Sequence, residues 1–299
     1  MNTRTMSPAH LALALAVMIV WGSNFVVVKH ALETLPPLTL ATLRFVAVLT
    51  PAIFFLKRPA ASWANLATYG ILIGAGQFGA LFVALRADIT PGLASLLMQS
   101  QVFFTIGLFM ILTGERVRGY QIGALLFAVA GIGVIVIHSD GSVTPFGLFL
   151  ILIAALGWAG GNMASRAAGK VDMLAYVVWA SLFAVPPLAI LAVMIEGWPA
   201  MTGGVRDAGL STWAAVGWQA VGNTMFGYGV WGWLLARYPA ATVAPLALMI
   251  PVFGMGASAL LLNEPLQSWK LLAAALIMSG LAIGVLWPRI TSRFKGQPI

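Results

Sequence analysis

The chain contains no cysteine among its 299 residues. This absence excludes disulfide bonds, zinc sites with thiolate ligands and thiol nucleophiles. Charge is also scarce, because Asp, Glu, Lys and Arg make up only 8% of the residues, against about 25% in an ordinary soluble domain. Hydrophobic residues account for 61%. So few charges cannot cover a water-facing surface, and the composition predicts a membrane protein without a sizeable soluble domain.

Acidic and histidine side chains are absent from the middle of every long apolar segment. The eight acids and three histidines lie at segment ends or between segments: Glu33, Asp88, Glu115, Asp140, Asp172, Glu196, Asp207, Glu264, His10, His30 and His138. An intramembrane enzyme needs a nucleophile with a base, or a metal cluster, and proton-coupled transporters commonly use an intramembrane carboxylate or histidine. We therefore predict no catalytic residue, cofactor or metal site, and favour facilitated diffusion over obligatory proton exchange.

Ten apolar segments are long enough to cross a bilayer as helices. They are about twice the length of a barrel strand and do not alternate in polarity, so a β-barrel is excluded. The stretch 196–210 is predicted as the one long loop. The segments cover residues 10–30, 38–56, 64–85, 90–112, 119–137, 146–166, 173–195, 211–235, 240–262 and 269–287.

The positive charges indicate how the segments are oriented. Most of the sixteen Lys and Arg residues fall on one side of the membrane if both termini lie on that side, and Arg44 falls inside a segment. Cytoplasmic connections carry the excess of Lys and Arg, so both termini are predicted to be cytoplasmic. The net charge of +8 reflects this orientation and is not evidence of nucleic-acid binding.

Similar motifs recur in the same order in two halves. Pro91–Leu96, Gln101-Val102-Phe103 and Gly114-Glu115 in the first half resemble Ala241–Leu246, Pro251-Val252-Phe253 and Asn263-Glu264 in the second. Each half holds five segments, an odd number, so two similar halves must have opposite orientations in the membrane. Inverted repeats are typical of transporters with a binding site between the repeats. We predict an all-α membrane protein whose repeats cover residues 1–139 and 140–299.

Several motifs together resemble one known family. They are Trp21-Gly22-Ser23-Asn24-Phe25, Leu43-Arg44-Phe45, Gly114-Glu115-Arg116, and Pro251-Val252-Phe253 followed by Asn263-Glu264-Pro265. In this order they resemble the drug/metabolite transporter superfamily, in its ten-span EamA-type branch, and are similar to the YddG-type aromatic amino-acid exporters. The resemblance implies export of small metabolites across a bacterial inner membrane, with spans 1–4 and 6–9 enclosing a cavity and spans 5 and 10 supporting it. Ala159-Gly160-Gly161 departs from the bulkier residues that relatives often carry, which leaves the pocket shape open.

Polar residues inside the spans are the candidate binding residues. Asn24 and Asn162 occupy matching positions in spans 1 and 6, and each follows a tryptophan, Trp21 or Trp158, by three or four residues. They are predicted either to line a pocket or to join helices by hydrogen bonds. Arg44 is a candidate partner of a substrate carboxylate, or it extends toward the membrane surface or binds a carbonyl.

A second group of candidates lies in spans 3, 4 and 8. Ser95 and Gln99 share one face of a helix, from which Gln101 points away. Ordinary packing with local hydrogen bonds is the alternative for each residue in this group. The further candidates are Gln77, Phe78, Asn223 and Tyr228.

Glycine-rich segments point to close helix packing. Residues 74–79 and 227–232 both match a dinucleotide-binding pattern, but neither follows a strand in a βαβ unit, so nucleotide binding is not expected. Gly280 and Gly284, with Gly131 and Gly133, are predicted to pack span 10 against span 5. A dimer contact is the alternative for these residues, and we expect a monomer or a weak dimer in the lipid bilayer.

The sequence therefore predicts a transporter that exports small metabolites, with neutral or aromatic amino acids as the leading substrate class, by alternating access and without proton coupling. Proton-exchange export of other metabolites or drugs, and a channel, remain open alternatives.

Overall fold

The structure, a computed structural model, describes residues 6–114, 118–138 and 141–294, and these are almost entirely helical. Within these ranges the sole β-pairing is one antiparallel bridge between Ile89 and Val143. The predicted all-α fold is confirmed.

Nine of the described helices are long and apolar enough to cross a membrane. A tenth, α8, runs without a break through Leu210–Trp218, Gln219–Phe226 and Gly227–Arg237; it is less apolar because it carries Gln219 and Asn223. The other bounds are α1 Pro8–Ala31, α2 Pro37–Phe55, α3 Trp63–Ala87, α4 Pro91–Leu112, α5 Gly119–Ile137, α6 Pro145–Ala167, α7 Met173–Glu196, α9 Ala244–Leu262 and α10 Ser268–Trp287.

The predicted loop between α7 and α8 is largely helical, which corrects the expectation. A short helix covers Trp198–Asp207. Pro199 lies in its first turn, where the fixed φ of proline favours a helix start. A Cβ on Gly204 would lie 2.7 Å from Cδ of Pro36, so this helix packs closely on the connection between α1 and α2.

Two kinds of helix distortion recur at matching places in the two halves, whereas the π-helical end of α7, Ala192–Glu196, has no counterpart in α2. The helices α3 and α8 each contain a π-helical segment, Leu72–Gly79 and Gln219–Phe226. Near the start of α4 and α9 there is a 3₁₀ turn, Met98–Ser100 and Ala244–Met249 respectively. π-Helical segments are rare and concentrate at functional sites, so their recurrence supports a two-repeat architecture with a shared site.

Contacts between the halves also come in matched pairs. Helix α1 packs on α8 and α9 of the second half, as α6 packs on α3 and α4 of the first. The pairs α2–α7 and α5–α10 each join equivalent helices. The core is therefore built mostly between the halves, and the space enclosed by α1, α3, α4, α6, α8 and α9 lies at their interface.

The α5–α10 pair depends on two glycines at equivalent positions. A Cβ on Gly280 would lie 2.5 Å from the carbonyl oxygen of Ala124, and one on Gly131 would lie 3.0 Å from the carbonyl oxygen of Ala273. The predicted packing role is confirmed for these two residues. It is wrong for Gly133, since nothing lies within 4 Å of a Cβ added there.

We predict that Gly280→Ala lowers stability by about 1–3 kcal/mol, because the added methyl group must push two backbones apart. Thermal unfolding of the detergent-purified protein measures the change. Gly133→Ala is the matched control in the partner helix, and it should be neutral or slightly stabilising because alanine favours helix over glycine. Equal destabilisation by both substitutions would contradict this account of the helix pair.

Candidate functional site

A cavity of about 450 Å³ lies between the two halves. Residues from α1, α3, α4, α6, α7, α8, α9 and α10 line it. The lining includes every predicted site residue except Arg44: Trp21, Asn24, Gln77, Phe78, Ser95, Gln99, Trp158, Asn162, Asn223 and Tyr228. The geometry therefore brings together, in one cavity, side chains that are up to about two hundred residues apart in sequence.

Aromatic rings form much of the wall near α1 and α8. The Trp21 ring centre lies 5.6 Å from those of both Tyr228 and Trp231. Its indole nitrogen donates a hydrogen bond of 3.1 Å to the backbone carbonyl of Asn223, which lies in the π-helical segment of α8. The irregular backbone of α8 thus accepts a side-chain hydrogen bond that holds the Trp21 ring against the cavity.

Arg44 lies behind the cavity wall and does not line the cavity. Its side chain is buried, and its guanidinium donates to Oε1 of Gln219 at 3.2 Å and to Oγ1 of Thr224 at 3.1 Å. Its Cζ lies 3.5 Å from the ring centre of Phe78, a cation–π contact. Sequence analysis left a substrate carboxylate, the membrane surface and a carbonyl as alternatives for Arg44. In the structure side chains of α8 accept from its two terminal NH₂ groups, while its Nε has no hydrogen-bond partner among the described residues.

Asn24 and Asn162 both line the cavity and both hydrogen-bond to a neighbouring helix. Both predicted roles, lining a pocket and joining helices, therefore apply to each residue. Oδ1 of Asn24 accepts a hydrogen bond of 2.5 Å from Nε2 of Gln219. Nδ2 of Asn162 donates to Oε1 of Gln101 at 3.3 Å and to Oγ1 of Thr105 at 3.5 Å. One amide group of each asparagine is therefore held by a neighbouring helix while the residue faces the cavity.

Gln101 lines the cavity too, although an ideal α-helix would turn it away from Ser95 and Gln99. The cause is the 3₁₀ turn Met98–Ser100, in which each residue rotates by about 120° rather than about 100°. This rotation brings Gln101 to the side of α6. Regular helical periodicity could not have found it.

Tyr69 and Ile73 also line the cavity and were missed by sequence reasoning. They lie two turns and one turn before Gln77 in α3, at the spacing of four that places residues on one helix face. This spacing is the signal that could have found them.

Gln77 is fully buried in the cavity wall, and in the described part of the chain neither of its side-chain polar atoms has a hydrogen-bond partner. By contrast, Ser95 donates to the carbonyl of Gly92 at 2.7 Å, and Gln99 donates to that of Ala247 at 3.1 Å. A buried amide without a partner costs about 1–3 kcal/mol. Gln77 is therefore a buried wall residue with its full side-chain hydrogen-bonding capacity unused among the described residues.

The cavity extends toward one end of the molecule only. We define the hinge end as the end that carries the connection 138–144, and the terminal end as the opposite one, where α1 begins. Ser165, Met173 and Leu235 line the cavity close to the terminal end. Toward the hinge end the lining stops near Leu81 and Ser95, so the hinge end is closed.

Glu264 closes the hinge end between the halves. Its carboxylate accepts hydrogen bonds from Oγ1 of Thr90 at 2.6 Å, from the backbone N–H of Gly92 at 3.0 Å and from the hydroxyl of Ser258, and it pairs with Nζ of Lys270 at 3.2 Å. Burial acts to raise the pKa of Glu264, but these hydrogen bonds and the Lys270 charge outweigh it and lower the pKa. Glu264 therefore braces the junction between the halves, whereas Glu115, at the matching place in the first-half motif, lies outside the described residues.

A second carboxylate makes a similar contact. Glu196, at the end of α7, accepts hydrogen bonds from the backbone N–H groups of Leu38 and Thr39, at 2.5 Å and 3.0 Å, and from the Thr39 hydroxyl at 2.7 Å. Both N–H groups lie in the first turn of α2, where backbone N–H groups have no carbonyl partner within the helix. Two acids of the second half therefore bind the N-termini of two helices of the first half.

Comparison with known proteins identifies the class. The model of the EamA-like transporter family matches residues 9–137 and 145–286, so the chain belongs to the EamA-like transporter family, and the resemblance found in the sequence is confirmed. The chain is a multi-pass membrane transporter and not an enzyme.

Two relatives are similar over nearly their whole length. The chain is 40% identical over 279 residues to a "Probable amino-acid metabolite efflux pump" of Escherichia coli strain K12, covering 91% of this chain and 93% of the relative. It is 39% identical over 292 residues to a protein of the same name from Salmonella typhimurium, covering 95% and 98%.

Two more distant comparisons agree with these. An "Uncharacterized inner membrane transporter YedA" of Escherichia coli is 28% identical over 308 residues, covering 100% of this chain and 96% of the relative. One solved structure, titled only as the crystal structure of a protein, superposes with a TM-score of 0.61 at 19% identity, covering 95% of this chain and 98% of that one. This structural likeness shows the fold alone.

We predict that Glu264→Gln destabilises the protein by about 3–5 kcal/mol at pH 7, because it leaves Lys270 buried without a counter-charge. The lowered pKa of Glu264 means that its stabilising contribution is present above the ordinary glutamate value of about 4.3. The contribution is lost as the pH falls through the lower folded value. The apparent unfolding temperature of the wild type should therefore fall more steeply below about pH 4.3 than that of Glu264→Gln.

The control is Asp207→Asn, which breaks an exposed pair with Arg206 and should change stability by less than about 0.5 kcal/mol. If the unfolding temperatures of wild type and Glu264→Gln fall in parallel as the pH is lowered, Glu264 does not carry this pH dependence.

Proposed function

We propose that this protein exports neutral amino acids, aromatic ones included, from the cytoplasm across a bacterial inner membrane, by alternating access and down the substrate gradient. The two relatives of about 40% identity are named amino-acid metabolite efflux pumps, and a more distant one is named an inner membrane transporter. These names motivate the substrate class, the direction and the membrane.

The observation that carries the proposal is the composition of the cavity between the halves. Its volume of about 450 Å³ falls within the range of about 300–1,000 Å³ that is usual for small-molecule sites. Aromatic rings and side-chain amides line it together, as with Trp21 and Tyr228 beside Asn24 and Asn162. Neutral hydrogen-bonding groups suit a zwitterion that must be held weakly enough to be released, and the rings suit an apolar side chain.

Facilitated transport is supported by the groups that the lining lacks. Among the described residues no Asp, Glu or His lines the cavity. Relays in proton-coupled transporters are built from such side chains. Without a group that can carry protons, the driving force left for transport is the concentration gradient of the substrate.

Alternating access is supported by the closed hinge end and the cavity that reaches the terminal end. With both termini cytoplasmic, this arrangement is the inward-facing state. Rocking of the halves, 1–139 against 140–299, would open the hinge end and break the contacts of Glu196 and Glu264. The protein acts as a monomer in this proposal, because each chain contains a complete site.

The first test is substrate flux by purified protein in sealed liposomes, with labelled Phe, Trp, Thr and Met. We expect saturable flux that unlabelled substrate competes for, and a reduction of about tenfold or more in Asn24→Ala and in Asn162→Ala, because each loses a hydrogen bond to a charged substrate group. Saturation separates this mechanism from a channel.

The control for this test is Thr68→Ala in α3. Thr68 is exposed and donates only to the carbonyl of Ala64 in its own helix, so flux should be unchanged. If folded wild-type protein moves none of the four amino acids, the proposed substrate class is wrong.

The second test separates facilitated transport from proton exchange. In the same liposomes, an imposed pH gradient without a substrate gradient should drive no net accumulation of the amino acid, because the cavity holds no titratable relay. A pH-sensitive dye trapped inside the liposomes should report no proton movement during flux. Accumulation that scales with the pH gradient, together with stoichiometric proton movement, would refute the facilitated mechanism.

A further inference from the structure

Three side chains form a hydrogen-bonded chain from behind the cavity wall to the cavity itself. Arg44 donates to Oε1 of Gln219 at 3.2 Å, and Nε2 of Gln219 donates to Oδ1 of Asn24 at 2.5 Å. Arg44 and Gln219 are fully or almost fully buried, whereas Asn24 lines the cavity. We call this set the Arg44–Gln219–Asn24 relay.

The chemistry of arginine fixes the direction of every hydrogen bond in the relay. A guanidinium has five N–H donors and no acceptor, so Gln219 must present its oxygen to Arg44. The Gln219 amide nitrogen is then the atom that faces Asn24, and Asn24 must present its own oxygen in return. Reversing either amide would place two donors or two oxygens against each other inside the membrane. The orientation of both amides, which ordinarily has to be assigned from the network, is set here by a donor-only group.

With its oxygen engaged by Gln219, Asn24 has only its NH₂ group left for the cavity. Arg44 adds positive potential behind the same part of the wall, and among the described ion pairs none neutralises it. Donor hydrogens backed by a positive charge bind an acceptor or an anion.

The second half is arranged in the opposite sense. The NH₂ group of Asn162 donates to Oε1 of Gln101 and Oγ1 of Thr105, and the Thr105 hydroxyl in turn donates to Oε1 of Gln101 at 3.5 Å. In this arrangement the oxygen of Asn162 is left for the cavity, and neighbours that can each donate or accept hold it, in place of a donor-only group. A carbonyl oxygen accepts from N–H donors such as an ammonium group.

We infer that the cavity binds its substrate in one orientation, with the carboxylate at Asn24 and the ammonium group at Asn162, and that Arg44 and Gln219 are positioning residues that set this polarity. The inference rests on the proposed function and specifies its site. The two asparagines occupy matching places in the repeats yet present opposite groups. A zwitterion with both charges on one carbon is complementary to such a pair, whereas a simple amine or a simple acid satisfies only half of it.

The experiment measures competition against the panel amino acid with the fastest wild-type flux in liposomes. The competitors are the same amino acid without its carboxylate and the same amino acid without its ammonium group; for phenylalanine these are 2-phenylethylamine and 3-phenylpropionate. In the wild type each should compete about tenfold to a hundredfold more weakly than the amino acid, because it lacks one charge-assisted hydrogen bond.

Asn24→Asp keeps the shape of the side chain but replaces the NH₂ donor by an oxygen. We expect the acid to compete a further tenfold or more weakly, and the amine to compete more strongly. The ratio of the two competitors' strengths should therefore shift toward the amine by about a hundredfold. Asn24→Leu is the matched control, since it removes the donor without adding an acceptor. In Asn24→Leu the acid should compete more weakly than in the wild type, and the amine should compete no more strongly.

Gln219→Glu tests positioning separately from contact. Glutamate still accepts from Arg44 but presents an oxygen instead of an N–H to Asn24, so the Asn24 amide reverses, donates its NH₂ group to position 219 and turns its own oxygen to the cavity. Relative to the wild type, the ratio of the two competitors' strengths should shift toward the amine by about tenfold, although no cavity-lining residue has changed. This result distinguishes positioning from a purely structural role, which would weaken binding of the amino acid and of both competitors together.

The outcomes separate the two proposals. Amino-acid flux in the wild type with unchanged acid-to-amine preference in both Asn24→Asp and Gln219→Glu overturns the inferred polarity and leaves the proposed function intact. No flux of any panel amino acid in folded wild-type protein overturns the proposed function and this inference with it. If Gln219→Glu does not fold, the shift in Asn24→Asp relative to Asn24→Leu decides the polarity alone.

Discussion

A polar group buried in hydrocarbon has no water to bind, so it must find its partner inside the protein. This constraint governs the centre of the molecule. Arg44 is a permanent charge in the middle of the helix bundle, and it is held by Gln219, Thr224 and the face of the Phe78 ring. Because these partners lie on α8 and α3, holding the two terminal NH₂ groups of one arginine brings together three helices and both halves, and only its Nε is left without a partner among the described residues. Aromatic and amide residues that line the cavity pack against this group of side chains around Arg44.

The same constraint explains the irregular helices. An ideal α-helix uses every interior backbone group within itself and offers none to its surroundings. The π-helical segments Leu72–Gly79 and Gln219–Phe226 lie next to the cavity, and in the second of them the carbonyl of Asn223 accepts a bond from Trp21. The 3₁₀ turns of α4 and α9 rotate the residues that follow them. Departures from ideal helix geometry therefore recur in both halves beside the cavity.

The architecture was readable from the sequence because it depends on composition, segment length and motif order, which are local or additive properties. Asn24 and Asn162 could be found because each lies close behind a tryptophan at a matching place in its half. Gln101 could not, since its direction depends on a turn that departs from 3.6 residues per turn. The direction of Arg44 was equally hidden, because a long side chain in a helix can reach several neighbours and tertiary packing selects among them. The short helix Trp198–Asp207 escaped detection since its two glycines resemble a loop.

The ties at the hinge end have a consequence for the proposed cycle. The helix order is the same in both halves, but Glu196 and Glu264 both belong to the second half and both bind helix N-termini of the first. In the first half, the stretch after α2 that corresponds to Glu196 reads Leu56-Lys57-Arg58 and offers no acid. The contacts that close one end therefore have no complete mirror image at the other. In the proposed cycle we therefore expect the two end states to differ in energy even without substrate, so that the empty transporter rests with its hinge end closed.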